Sequence, residues 1–168
     1  KRVLERIIEL GDRKETITAG DLPYIISDVL ETPQEKTFKL ELCNIVTSME
    51  LRPIAVVKLL YKDKGKNKEM QLEESAQGDG GYDAFMNAIG KIAKKINYPL
   101  PILLDYTVNI PPGGKTDALV QCTITWGWQN HKTFITKGVN PDQVLAAIEA
   151  TEKMLNIIAF QKNKELIQ

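Results

Sequence analysis

The sequence predicts an α+β fold: two βββα units packed as a pseudo-repeat, preceded by a small helical linker subdomain. Three patterns predict it. Six short segments alternate, or run apolar, in the manner of strands, and they fall in two groups of three. Each group is followed by a segment whose apolar residues recur at helical spacing. The two groups then match one another along the chain, the mark of an internal repeat. With 168 residues, 43% of them hydrophobic and 26% charged, the chain has enough apolar material for one core and a short appendage.

The appendage is residues 1–35, the helical linker subdomain. Val3, Leu4, Ile7 and Ile8 fall at helical spacing, and Gly11 is placed to close that helix. Thr16-Ile17-Thr18 follows. A second helix is expected from Asp21, a suitable N-cap, to Leu30, with Pro23 in its first turn and Pro33 past its end. Too few apolar residues are present for this segment to fold alone. The chain opens at Lys1, inside the helical pattern, so it is expected to be part of a longer protein.

Residues 36–168 form the main domain, with repeat one at about 38–97 and repeat two at about 102–160. In repeat one, Phe38, Leu40, Leu42, Asn44 and Val46 alternate with Lys39, Glu41, Cys43 and Ile45, as a strand does. Ile54 to Tyr61 is a second strand, Lys62 to Asn67 a polar hairpin loop, and Glu69 to Ala76 a third strand. Gly78 to Asp83 leads into a helix with the apolar face Phe85, Ile89, Ile92 and Ile96. After Pro99 and Pro101 the pattern starts again. Strands are expected over Leu103 to Ile110, Ala118 to Trp126 and Lys132 to Lys137, with Pro111 to Gly114 as a loop. Gly138 to Asp142 leads into a last helix with the face Val144, Ile148, Leu155 and Ile158. A shift of 59 residues superposes the halves, setting Asp83 on Asp142, Phe85 on Val144, Ile89 on Ile148 and Ile96 on Leu155. It also sets Tyr82 opposite Pro141.

Composition excludes several function classes. Lysine plus arginine equals aspartate plus glutamate, 22 each, so no field of one sign draws the surface to nucleic acid or anionic lipid. Lysines 58, 62, 64, 66 and 68 belong to one hairpin and read as a solvated loop. No apolar run approaches the roughly 18 residues of a membrane span. Cys43 and Cys122 both sit in apolar runs and read as buried free thiols, which fits a reducing cytoplasm. The one histidine, His131, lies in a polar turn. No His pair or Cys-x-x-Cys offers a metal site, and no nucleophile stands beside a base. Asp79 and Asp83 flank a helix start, where capping and dipole complementarity account for them.

Gly78, Gly80 and Gly81 leave backbone N–H groups open to a carboxylate or phosphate, and the second helix start at Gly138–Asp142 doubles that signal. Tyr82, Leu103, Tyr106, Ile110 and Val120 lie around these starts. An apolar pocket capped by helix N-termini suits an amino acid. The same side chains also suit plain core, and the residues alone leave both readings open.

Gly78-Asp79-Gly80-Gly81-Tyr82-Asp83-Ala84, Leu104-Asp105-Tyr106-Thr107-Val108, Thr116-Asp117-Ala118-Leu119, and Gly138 with Asp142 and Asn156 together resemble the C-terminal regulatory domain of 2-isopropylmalate synthases and the related citramalate synthases. The likeness covers about residues 38–160, and residues 1–35 resemble the linker to the catalytic barrel. It implies an acyltransferase of branched-chain amino acid biosynthesis, one that condenses the acetyl group of acetyl-CoA with a 2-oxo acid. Catalysis and a divalent metal would belong to a separate (β/α)8 barrel, leaving this part without catalytic residues or a cofactor of its own. It further implies a cytoplasmic homodimer that binds leucine as feedback inhibitor at the dimer interface, or isoleucine in the citramalate branch. On the family pattern the effector site would comprise Tyr82, Asp83, Leu103, Tyr106, Ile110, Val120, Pro141 and Gln143. Many isopropylmalate synthases carry Pro-Val where this chain has Gly81-Tyr82, and the tyrosine resembles the citramalate branch more.

Two other classes compete. A double-stranded RNA-binding domain also runs helix, three strands, helix. It places lysines at its last helix start, where this chain has Asp79, Asp83 and Asp142. A dimerisation module without a ligand is the other.

Overall fold

The structure, a computed structural model, describes residues 1–13, 25, 26, 29, 36–63, 68–110, 118–129 and 132–165. Thr16-Ile17-Thr18, Asp21, Pro23, Leu30, Pro33, the loops at 64–67 and 111–114, Thr116, Asp117 and His131 lie outside them. The elements in order are α1 (Arg2–Arg13), β1 (Phe38–Val46), β2 (Ile54–Asp63), β3 (Lys68–Gln77), α2 (Gly81–Lys95), β4 (Ile102–Asn109), β5 (Val120–Gly127), β6 (Thr133–Asn140) and α3 (Gln143–Glu165). The strands form two antiparallel sheets, β1-β2-β3 and β4-β5-β6, each followed by its helix. The expected doubled βββα architecture is therefore present.

The chain divides into two units. One holds Lys1–Pro33 and Ile102–Lys153, the other Gln34–Pro101 and Met154–Gln168. The division falls inside α3.

In the second of these, β2 turns Ala55, Val57 and Leu59 inward, and α2 buries Ala84, Phe85, Ala88, Ile89, Ile92 and Ala93. The spacing of those six is one helical face. Burying each of Phe85, Ile89 and Ile92 contributes about 1.5–3 kcal/mol. Phe38 stacks on Tyr61 with ring centroids 4.8 Å apart and meets the edge of Tyr98 at 5.0 Å. Asn97, at φ 50°, ends α2. Its N–H donates to Lys94 O and that of Tyr98 to Ala93 O, the paired bonds of a left-handed helix terminus that asparagine tolerates. The later turns of α3 add Met154, Leu155 and Ile158 to this core. The buried Asn156 reaches the edge strand β1. Its Oδ1 accepts from the N–H of Thr37 at 2.7 Å and of Phe38 at 2.9 Å, and its Nδ2 donates to Phe38 O at 2.9 Å. One amide side chain thus replaces a missing neighbouring strand.

In the other unit, Val120, Cys122, Ile124 and Trp126 of β5 are buried and alternate with half-buried Gln121, Thr123, Thr125 and Gly127. Trp126 Nε1 donates to Thr136 Oγ1 at 2.8 Å, so the buried indole is satisfied. Helix α1 presents Leu10, with Val3 and Ile7 beside it, to Ile25, Leu119 and Val139.

Four sequence-based expectations need correction. First, α1 does not close at Gly11 but runs to Arg13. Leu10 is fully buried, and that anchorage outweighs the ~1 kcal/mol a helical glycine costs relative to alanine. Second, β6 continues through Gly138 to Asn140, which pairs with Val120. Gly138 is thus not part of a helix start. It is the point where α3 crosses the sheet closely: a Cβ there would run into the carbonyl oxygen of Ala146 and come within 2.8 Å of the Ala150 nitrogen.

Third, the two helices align at a shift of 62, not 59. Gly81 and Gln143 begin the two helices. Buried positions 84, 85, 88, 89, 92 and 93 then fall on 146, 147, 150, 151, 154 and 155, all buried. A register of 59 is off by nearly one helical turn, which preserves apolar matches by periodicity alone. Consequently Tyr82 matches Val144, not Pro141. Fourth, Asp83 and Asp142 are not equivalent caps. Asp142 precedes α3 and its Oδ1 accepts from the N–H groups of Val144 (2.7 Å) and Leu145 (2.9 Å). In α2 the cap is Gly80, which has no side-chain bond to give, and Asp83 is inside the helix. The sequence also gives no hint of bulges, yet β1 and β4, one edge strand of each sheet, carry one, between Leu40 and Leu42 and between Leu103 and Asp105.

Candidate functional site

Six of the eight residues singled out above lie in the unit containing β4–β6, and Tyr82 and Asp83 lie in the other. Directly paired strand residues point to one face of a sheet. Leu103 pairs with Trp126, Tyr106 with Ile124, Cys122 with Gly138, and Val120 with Asn140. The face they share is the one α3 crosses at Gly138. Leu103 and Tyr106 stand on the edge strand of that face. Leu103 is 38% exposed, Ile110 just past the strand is 55% exposed, and Tyr106 is half-buried. Val120 is buried at the far end of the face. Beyond it, Asn140 leads directly into half-buried Pro141 and then exposed Asp142 and Gln143, the last of these the first residue of α3.

The electrostatics centre on Tyr106. Burial pushes its hydroxyl well above the usual phenol range, and the neighbouring Cys122 thiol and the Asp142 charge add to the effect. The hydroxyl and the thiol are hydrogen-bonded, while burial pushes the thiol itself up to about 11. Tyr106 is thus a neutral, partly accessible aromatic at working pH. It stands between apolar Leu103 on its own strand, with Ile110 just past that strand, and the capped start of α3. Such an arrangement can hold a small amphipathic molecule, with an aliphatic group against the apolar side chains and a polar group at the helix start.

At the other helix start, Tyr82 is half-buried and its ring stacks on Phe85 with centroids 6.0 Å apart. Exposed Asp83 turns back on its own loop, accepting from the Asp79 N–H at 2.9 Å and from Asn87 Nδ2 at 3.3 Å. Gly78 donates its N–H to Pro53 O at 3.1 Å. The N–H groups of Gly78 and Asp79 are therefore engaged within the chain. Gly78 is required here for close approach, because a Cβ would run into the Ala84 nitrogen and the Asp83 carboxylate. Among the described residues, no three His, Cys, Asp or Glu side chains group as a metal site would need. No helix among them is long and apolar enough to cross a membrane.

Sequence reasoning missed two residues of this region. Cys122 touches Tyr106, and only the two-residue alternation along β5 hinted at a shared face. Asn140 is buried, and its Oδ1 accepts the Asp142 N–H at 3.1 Å. The Asn-Pro-Asp order signals such a turn.

Residues 16–159 match the family model described as the LeuA allosteric (dimerisation) domain. A protein of Archaeoglobus fulgidus provisionally named an (R)-citramalate synthase is 34% identical over 94% of this chain and 30% of its own length. The (R)-citramalate synthase of Methanocaldococcus jannaschii is 29% identical over 94% of this chain and 30% of its own. The 2-isopropylmalate synthase of Prochlorococcus marinus strain AS9601 is 32% identical over 96% of this chain and 28% of its own. The chain therefore spans just under a third of the length of the curated relatives it matches.

Proposed function

We propose, on the premise that the chain belongs to the LeuA allosteric (dimerisation) domain family, that it is the regulatory part of an acyl-CoA-condensing synthase of branched-chain amino acid biosynthesis. On this reading it forms a homodimer in the cytoplasm and binds leucine as feedback inhibitor where two protomers meet. The part described here does no chemistry, and the divalent metal serves a separate catalytic domain.

The observation that carries the reading is Tyr106. It is an edge-strand aromatic on the face that α3 crosses, flanked by exposed Leu103 and Ile110 and close to the Asp142-capped start of α3. Leucine fits this chemistry, with its branched chain against the apolar residues and its charged groups at the helix start. Tyr82 and Asp83, from α2 of one protomer, would complete the site across the interface. A second reading, isoleucine bound by a citramalate synthase, is favoured by Tyr82 and by the relatives named citramalate synthases.

Calorimetric titration of the chain with leucine, isoleucine and valine tests the proposal. Saturable heat with leucine supports it, saturable heat with isoleucine in its place moves the protein to the second reading, and no heat with any of the three refutes effector binding. Tyr106→Ala should weaken the binding at least tenfold, a loss of about 1.4 kcal/mol, and leave the domain folded.

A further inference from the structure

The start of α3 is wired to α1. Arg6 of α1 has its side chain 14% exposed. Its Nη2 donates to the Val139 carbonyl at 2.9 Å and to Glu149 Oε2 at 2.5 Å, and its Nη1 donates to Glu9 Oε2 at 2.9 Å. Glu149 sits on α3 and divides its two oxygens. While Oε2 takes Arg6, Oε1 accepts from Asn140 Nδ2 at 2.8 Å. Asn140 then uses its own Oδ1 to hold the Asp142 N–H. Asp142 in turn caps Val144 and Leu145. A continuous run of hydrogen bonds, one of them an ion pair, therefore joins α1 to the turn Asn140-Pro141-Asp142-Gln143.

The fold does not demand this expense of polar groups. Apolar contacts of Val3, Ile7 and Leu10 already seat α1 on its unit. Replacing a partly buried ion pair by apolar side chains of similar size is often neutral for stability. What the polar run adds is direction. A forked guanidinium and a carboxylate bonded through both oxygens fix orientation as well as distance. Moving the carboxylate to follow Asn140 moves the anchor of α1.

We propose that Arg6, acting through Glu149 and Asn140, is a positioning residue that couples the start of α3 to α1. Closure of Pro141 and Gln143 on a bound amino acid is thereby felt as a shift or stiffening of α1. The coupling is reciprocal, so loosening α1 loosens the site. This rests on the effector site proposed above, but its physical core, the linkage of α1 to the helix start, is testable with no ligand at all.

The test is hydrogen exchange on the full chain, unaltered and as Arg6→Ala and Glu149→Gln, the latter retaining an acceptor for Asn140 while removing the ion pair. In the free protein both variants should speed exchange at Asp142, Val144 and Leu145 by about tenfold, the usual effect of losing one charge-assisted bond. Exchange at Val57 and Leu59 in the other sheet should stay unchanged. If α1 alone loosens and the three helix-start amides keep their rates, the coupling is refuted. Should Arg6→Ala fail to fold, Glu149→Gln decides on the same amides. Titration with leucine and isoleucine adds a readout that a merely structural role would not move: the folded variants should bind about tenfold more weakly, and equal affinity overturns the proposal. An unaltered chain that binds neither amino acid contradicts the effector site, and the free-protein exchange still decides the coupling.

Discussion

Asn156→Leu is expected to be among the most damaging single changes in the molecule. Leucine is close in volume, so the change creates little cavity. It removes the two acceptor bonds to Thr37 and Phe38 N–H and the donor bond to Phe38 O. Thr37 is 7% exposed and Phe38 1%, so water cannot easily replace the amide. Each buried backbone group left unsatisfied costs about 1–3 kcal/mol. Three such groups, partly relieved by movement of the edge strand, give about 3–6 kcal/mol, against a total stability of about 5–15 kcal/mol for a typical domain. Urea unfolding followed by circular dichroism measures the change. With a slope of about 2 kcal/mol per molar, the midpoint should fall by about 1.5–3 M. A fall below about 0.5 M would refute the reasoning, because it would mean that β1 holds its edge without the amide. Hydrogen exchange at Thr37 and Phe38 locates the loss independently.

Gly138→Ala places a methyl group against the α3 backbone at Ala146 and Ala150. Neither can yield as a side chain would, so a loss of about 2–3 kcal/mol or more is expected in the same urea assay. An unchanged midpoint would show that α3 has room to lift. Thr136→Val keeps shape but leaves the buried indole N–H of Trp126 without its acceptor, at a cost of about 1–3 kcal/mol, checked by thermal unfolding. Alkaline pH should destabilise the protein. Burial raises the Cys43 and Cys122 thiols from 9.0 to about 11, and the Tyr61, Tyr98 and Tyr106 hydroxyls shift the same way. The unfolded chain therefore releases these protons first. The stability they contribute is intact below about pH 9 and is lost as pH rises through 11, so a urea midpoint that holds steady across that range would contradict the assignment.

How much of this was readable from sequence follows from how local each signal is. The strands and both long helices were legible because period two and period 3.6 are properties of short windows. The helical spacing of Phe85, Ile89 and Ile92 marks them as core, and all three are buried. The repeat register was not legible to within a turn, since an amphipathic helix matches itself after a shift of three or four residues. Gly138 misled for a related reason. A glycine two residues upstream of Asn-Pro reads as a loop, and only the crossing of α3, a tertiary fact, shows why it belongs in a strand. Asn156 belongs to a recognisable motif, but its service to β1 spans 118 residues of chain. Arg6 and Glu149 are 143 residues apart and carry no mutual signal. The site residues were drawn from a motif resemblance. The geometry accounts for Tyr106, Leu103 and Val120 as one face of a sheet and for Asp142 as a cap.

The proposed effector site has one direct test. An isotope-labelled sample titrated with leucine, then separately with isoleucine, and followed by amide chemical shifts provides it in one measurement. The account predicts saturable shifts centred on Tyr106, Val120 and Gln143, with Tyr82 and Asp83 moving at the same ligand concentration. Shifts absent with both amino acids, or confined to residues away from these five, would contradict it.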